Sequence, residues 1–204
     1  GGTIVPTGVQ VGTGVKAGSV YRITGQGNVT QTENAYDLAI QGEGYFVIQN
    51  PDGTQSYTRA GNFSVSPDGQ LVTEDGFVVS PGIAIPEEAV DVSISAVGMV
   101  QVRIAGEVEY QELGQIDLAR FINPAGLDAI GDNLFLETPS SGPANIATPG
   151  AVGFGTVLQG FLETSNVNAV NEISALIVAQ RAYEMNSKVI TTADEMLGVT
   201  SQLR

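Results

Sequence analysis

Leu162, Ala169, Leu176, Tyr183, Ile190 and Leu197 recur at a strict seven-residue interval near the end of this 204-residue chain. A sustained heptad repeat keeps one helical face turned toward a neighbouring helix. The stretch EISALIVAQRAYEMNSKVITTADEML therefore reads as one long helix with an apolar seam, with Ser165 or Asn166 as its predicted N-cap. Ile173, Ile177 and Ala179 widen the stripe in its first half, and Ala175, Ala182, Val189 and Met196 are expected to flank its later members on the same side. Gln180, Ser187 and Asp194 occupy the complementary positions, so the seam is narrow and partly polar. Roughly 35 residues at 1.5 Å each span about 50 Å. That exceeds the width of a β domain of ~130 residues. One reading lays the helix across the rest of the chain as an amphipathic cover. Its length points instead to a partner elsewhere, either a segment absent from this chain or another copy of it.

Nothing else in the sequence reads as a helix of comparable length. Glycine, at 26 residues, and nine prolines punctuate the chain at the spacing of short strands and turns. YFVIQNPDGTQSYTR and FSVSPDGQLVT each set Pro-Asp-Gly between apolar-alternating runs, which predicts two successive hairpins, because Pro presets φ and Gly accepts positive φ. TEDGFVVS supplies a third turn and strand, and further strands are predicted at 91–95, 99–105, 107–111 and 114–121. Residues 123–160 read as a loop-like return connection, and TVLQGFLET as a last strand before the helix. The predicted fold class is mainly β with a long C-terminal α-helix. Its parts are an extended arm over 1–30 with a strand near Val20 to Ile23, a β-rich domain over 31–160, and a helical assembly domain over 161–204.

Charge excludes several function classes. The net charge of −14 repels phosphate backbones and anionic lipid, so nucleic acid is not an expected partner. Residues 1–160 carry 17 acidic and 5 basic side chains, and 161–204 carry 5 and 3, so the acidity belongs to the β body and the helix is nearly neutral. No run of eighteen apolar residues predicts membrane insertion, and no charged-then-apolar leader is visible. Histidine and cysteine are both absent, which removes the commonest general base, transition-metal ligands and a thiol nucleophile.

Two motifs invite chemistry. GTGVKA, with Gly12, Gly14 and Ala17, matches a dinucleotide fingerprint, with Glu33 near the acidic position, but a glycine-rich, β-branched run follows it where a helix is required. Lys16 lacks the spacing of a P-loop. Asp68, Glu74 and Asp75 gather acid as a calcium loop does, yet without its alternate ligands and terminal Glu. Paired carboxylates for glycoside hydrolysis are not singled out among 22 acidic residues. No cofactor, no metal and no catalysis are expected.

SYTRAGNFSVSPDGQLVTEDGFVV and GFLETSNVNAVNEISALIVAQRAYEMNSKVI together resemble the rod and hook proteins of the bacterial flagellum. TGVQVGTGV and IQGEGYFVI bring the chain nearest to the distal-rod members of that family. The resemblance covers essentially the whole chain. It implies a structural subunit of the basal-body distal rod that polymerises helically into a rigid hollow drive shaft, transmitting torque and conducting exported subunits across the cell envelope. It implies a β-rich outer domain plus a terminal-helix core domain, in which an N-terminal helix, preceding Gly1, pairs with the C-terminal one, and export by the flagellar apparatus without a cleavable leader. Implied partners are further copies, other rod proteins, the hook protein and the surrounding basal-body rings. The expected subunit-assembly residues are Ala169, Ile173, Leu176, Ile177, Tyr183, Ile190 and Leu197. The alternative within the family is a proximal rod or hook protein. The alternative of another class is a secreted carbohydrate-binding or hydrolytic β domain, which needs an aromatic platform and convergent carboxylates.

Overall fold

The computed structural model describes residues 22–202; the first part of the predicted arm, with the GTGVKA motif and the start of its expected strand, lies outside them. The described chain is mainly β, with sixteen short strands followed by one long α-helix, Ala169–Gln202.

The strand Tyr45–Gln49 sits at the centre. It pairs antiparallel with Gln55–Thr58 on one edge, and with Val78–Val79 and Leu118–Arg120 on the other. Side chains alternate across a strand, and here both faces are buried. Phe46 and Ile48 enter the larger core with Leu38, Ile40, Val102 and Val157. Tyr45 and Val47 enter a smaller one with Tyr57, Phe121 and Leu127. Edge-on ring pairs tighten each core: Phe46 with Phe63 at 5.1 Å in the first, and Tyr57 with Phe121 at 4.8 Å in the second.

The three predicted turns form as expected. Gly53, Gly69 and Gly76 take φ of +83°, +80° and +85°, and their N–H groups donate to the carbonyls of Asn50, Ser66 and Thr73. The Asp52 carboxylate accepts from both the N–H and the hydroxyl of Thr54, at 2.9 and 2.6 Å. Asp68 belongs to one turn and Glu74 and Asp75 to the next.

Four expectations need correction. Residues 107–110 are not a strand; they belong to the exposed connection between Met99–Ile104 and Gln111–Gln115, which form a three-stranded sheet with Ala89–Ile94. Residues 114–121 divide between Gln111–Gln115 and Leu118–Arg120, which lie in different sheets. Residues 123–160 are more than a connection. Leu134–Leu136 and Asn145–Ala147 extend the central sheet by pairing with the largely buried strands Gln55–Thr58 and Leu118–Arg120, and the exposed strand Asp128–Gly131 pairs with Leu134–Leu136 at its edge. Thr156–Gln159 then pairs with Leu38–Gln41, and Gly160, at φ +74°, separates it from Phe161–Glu163. Of the strand foreseen over Val20 to Ile23, Val20 and Tyr21 lie outside the described residues and Arg22 and Ile23 are in no strand; the pairing strand is Val29–Gln31.

Candidate assembly surface

Val29–Gln31 pairs antiparallel with Phe161–Glu163, Val29 opposite Glu163 and Gln31 opposite Phe161. This two-stranded stem is where the chain enters the β body and where it leaves for the helix. Glu163, at its end, is nearly buried. One carboxylate oxygen accepts from Arg59 Nε at 2.8 Å and the other from the Gly27 N–H at 2.8 Å. Arg59 spends its remaining N–H groups on main-chain carbonyls, with Nη1 donating to Gly42 and Gly44 at 3.0 Å each and Nη2 to Ile40 at 3.4 Å. A guanidinium supplies such a fork of planar donors where an ammonium cannot. The pair therefore ties the stem, the entering segment and the turn after Leu38–Gln41 together.

Two glycines let the chain come close enough for this. A Cβ on Gly27 meets the carbonyl of Thr164, and one on Gly61, two residues beyond Arg59, meets the carbonyl of Leu38. Asn166 Nδ2 donates to the Gly25 carbonyl at 2.8 Å, and the Thr164 hydroxyl donates to that of Asn28 at 3.0 Å. Gln159 fastens the neighbouring strand to the three-stranded sheet: its amide donates to the Val92 carbonyl and accepts from the Ile94 N–H. Arg59 and Glu163 lie inside the stretches that carry the family resemblance but were not among the expected site residues. The signal was two opposite charges at strand ends, Arg59 directly after Gln55–Thr58 and Glu163 closing Phe161–Glu163, where an unpaired charge is costly once buried.

The helix begins later than predicted. Asn168 is its N-cap, with its Oδ1 accepting from the N–H of Val170 and Asn171 at 3.1 and 3.2 Å, and Glu172 stands in the first turn near the positive end of the helix dipole. Ser165 instead accepts from the Val167 N–H within the preceding loop, and Asn166 is held by the entering segment. Leu162, first of the seven-residue series, therefore lies on the stem strand and not on the helix.

Ala169, Ile173, Leu176, Ile177, Tyr183 and Ile190 all lie on the helix and all are exposed, Tyr183 at 77%. Leu197 is on the helical backbone, its side chain outside the described residues. Every described side chain from Thr164 onward is exposed, so no cover across the β body is formed among the described residues.

At 100° per residue, Ala182 and Val189 fall about a quarter-turn from Tyr183 and Ile190, not on the same side as expected. They complete a second seam: Ala175, Val178, Ala182, Met185, Val189, Thr192 and Met196 follow one another at intervals of three and four residues. Val178 and Met185 lie about 200° from Leu176 and Tyr183. Small residues, Ala179, Asn186 and Ala193, run between the two seams, and Arg181, Glu184 and Lys188 occupy the remaining side. Sequence reading missed the second seam because a single seven-residue series was followed; the alternating three-and-four spacing was its signal.

No described helix is long and apolar enough to cross a membrane. Among the described residues no acidic cluster is arranged to hold a metal ion.

The family described as "Flagellar hook protein FlgE/F/G D1 domain" matches residues 39–102, which hold the hairpins and the first strands of the three-stranded sheet. "Flagellar basal body rod FlgEFG protein C-terminal" matches 158–203, the stem strand and the helix. The flagellar basal-body rod protein FlgG of Caulobacter vibrioides is 64% identical over 203 residues, covering 100% of this chain and 78% of that protein. FlgG of Agrobacterium fabrum is 50% identical over 98% of this chain and 76% of its own length. FlgF of Caulobacter vibrioides is 35% identical over 84% of this chain and 66% of its own. With the body and the stem-and-helix each matched and the whole chain aligned to full-scale relatives, this chain belongs to the flagellar basal-body rod protein family and is a structural subunit of the flagellar rod.

Proposed function

We propose that the subunit works by polymerisation and not by catalysis, with its C-terminal helix lodged between neighbouring helices and its acidic β body turned outward. The observation that carries this reading is the helix of 34 residues that bears two apolar seams with all its described side chains exposed. A surface satisfied only by non-identical surfaces of other subunits makes heterologous contacts, and these build helical filaments when the rotation does not close. Two seams on one helix accommodate two neighbours, as a tube wall requires. The assembly residues are Ala169, Ile173, Leu176, Ile177, Tyr183, Ile190 and Leu197 on the first seam, joined by Val178, Met185 and Val189 on the second.

The near-neutral helix can crowd around an axis, whereas the acidic body is stable only where water and salt screen it. The resulting shaft is rigid where each body is tied to its helix through the Arg59–Glu163 stem. We place the subunit in the distal rod, with other rod proteins and the hook protein as axial neighbours and the basal-body rings around it. Higher identity to FlgG than to FlgF of one organism supports that position within the family. Family membership lends nothing to the carbohydrate-binding or hydrolytic alternative. Electron microscopy of the full-length protein tests the reading: tubes are expected, and stable monodisperse monomers at assembly concentrations overturn it.

A further inference from the structure

Two adjoining clefts flank the segment Thr24–Gly25, sharing Tyr45 and Arg59 as walls. Basic side chains are scarce in this acidic chain. Of the four described ones outside the helix, Arg22, Arg59, Arg103 and Arg120, three line these clefts. Arg59 faces the nearly buried Glu163, and Arg120 faces Glu43, which is itself largely exposed, at 2.8 Å. Arg22 forms no ion pair among the described residues; its guanidinium lies over the Phe135 ring at 5.0 Å. Ile23, beside it, is 71% exposed. The clefts thus combine an uncompensated cation with uncovered apolar surface, on a molecule that is negative nearly everywhere else.

The complementary feature lies on the three-stranded sheet. The connection between Met99–Ile104 and Gln111–Gln115 projects Val108, 90% exposed, between Glu107 and Glu109. Its one nearby base, Arg103, is occupied by Asp91 at 3.5 Å and stacks on Tyr110. No residue of this connection lines either cleft within the chain.

We propose that the Arg22–Arg120 clefts receive the Glu107–Glu109 hairpin tip of a second copy of this chain. This rests on the polymerisation reading and adds an outer contact between β bodies to the helical one. Charge decides the occupant. The entering arm, residues 1–21, is the nearest alternative, but it contains no acidic residue and adds Lys16, so it brings positive charge to a positive cleft. The tip brings two carboxylates and an uncovered valine to match the arginines and the Phe135–Ile23 wall. Cleft and tip are different surfaces of one molecule, so the contact is heterologous and propagates along an open assembly. Opposite charges at such a contact steer encounter and fix register.

The chain contains no cysteine, which makes the test direct. Thr24→Cys and Val108→Cys are introduced together into the full-length protein in motile cells, which are treated with a short bis-maleimide before basal bodies are isolated. A ladder of covalent multimers is expected from the double variant and none from either single one. Arg22→Glu is expected to lower the rate of rod assembly about tenfold, the scale of a steering charge, and Glu107→Lys with Glu109→Lys in the same chain to restore it. Rods that form normally from the double-cysteine protein without a ladder, or whose cross-link stays within one chain, overturn the docking while leaving polymerisation intact. Wild-type protein that forms no rod overturns the polymerisation reading and the docking together.

Discussion

At the scale of single residues, the joint between body and helix depends on Arg59 and Glu163. Their side chains are only 20% and 10% exposed, and between them they bind a main-chain N–H and three carbonyls. Removing one member of a buried pair leaves the other charge uncompensated, at a cost of about 3–5 kcal/mol. Arg59→Ala is accordingly expected to destabilise the β body by that amount in urea unfolding. Glu163→Gln, which keeps an acceptor oxygen, should cost less. Glu87 and Glu88 supply the contrast, since both are exposed. Replacing both by Gln should shift stability by no more than about 0.5 kcal/mol, and a loss of several kcal/mol in the same measurement would show that surface acidity is part of the fold.

The helix sets the questions at the scale of elements. An isolated helix is marginal in water because nucleation is unfavourable and packing supplies most of its stability. In a dilute monomer, amides from Ile173 to Ile190 are therefore expected to exchange far faster than those of Tyr45–Gln49, whose strand is buried on both faces. Slow exchange along the helix in monomer would mean that its partner lies within the chain. The seams are tested in the polymer. Tyr183→Asp puts a charge into a contact that becomes desolvated, costing several kcal/mol at each subunit, so the β body should fold while rods and swimming are lost. Val189→Asp, on the second seam, is expected to do the same. Glu184→Asp, one residue and about 100° from Tyr183, should be nearly silent. Normal swimming with Tyr183→Asp, or equal damage from Glu184→Asp, would remove this face from the assembly.

Over the whole molecule, the larger core draws side chains from the central sheet, the three-stranded sheet and the Leu38–Gln41 pair alike. Such sharing makes one cooperative unit of the body. The exposed helix adds nothing to that core. Deleting residues 169–204 should therefore leave the urea midpoint of the body unchanged within error, and a second transition or a lowered midpoint would show that helix and body are energetically coupled. The stem makes the link: paired strands and the Arg59–Glu163 ion pair fix its end at Glu163, and residues 164–168 lead from there into the helix.

Sequence alone determined what depends on local chemistry. The Pro-Asp-Gly turns follow from the φ each residue tolerates, and the long helix follows from seven-residue periodicity; both were legible, as was the family through stretches such as SYTRAGNF and ETSNVN. Tertiary structure decided what depends on partners distant in the chain. Residues 134–136 are a strand because the edge of Gln55–Thr58 is there to receive them, and 128–131 because 134–136 in turn receive them; 107–110 are not because no neighbour pairs with them, and Asn168 displaces Ser165 and Asn166 as cap because the entering segment engages the residues before it. Arg59 and Glu163 lie 104 positions apart, and only the closing of the stem brings the two charges within hydrogen-bonding distance.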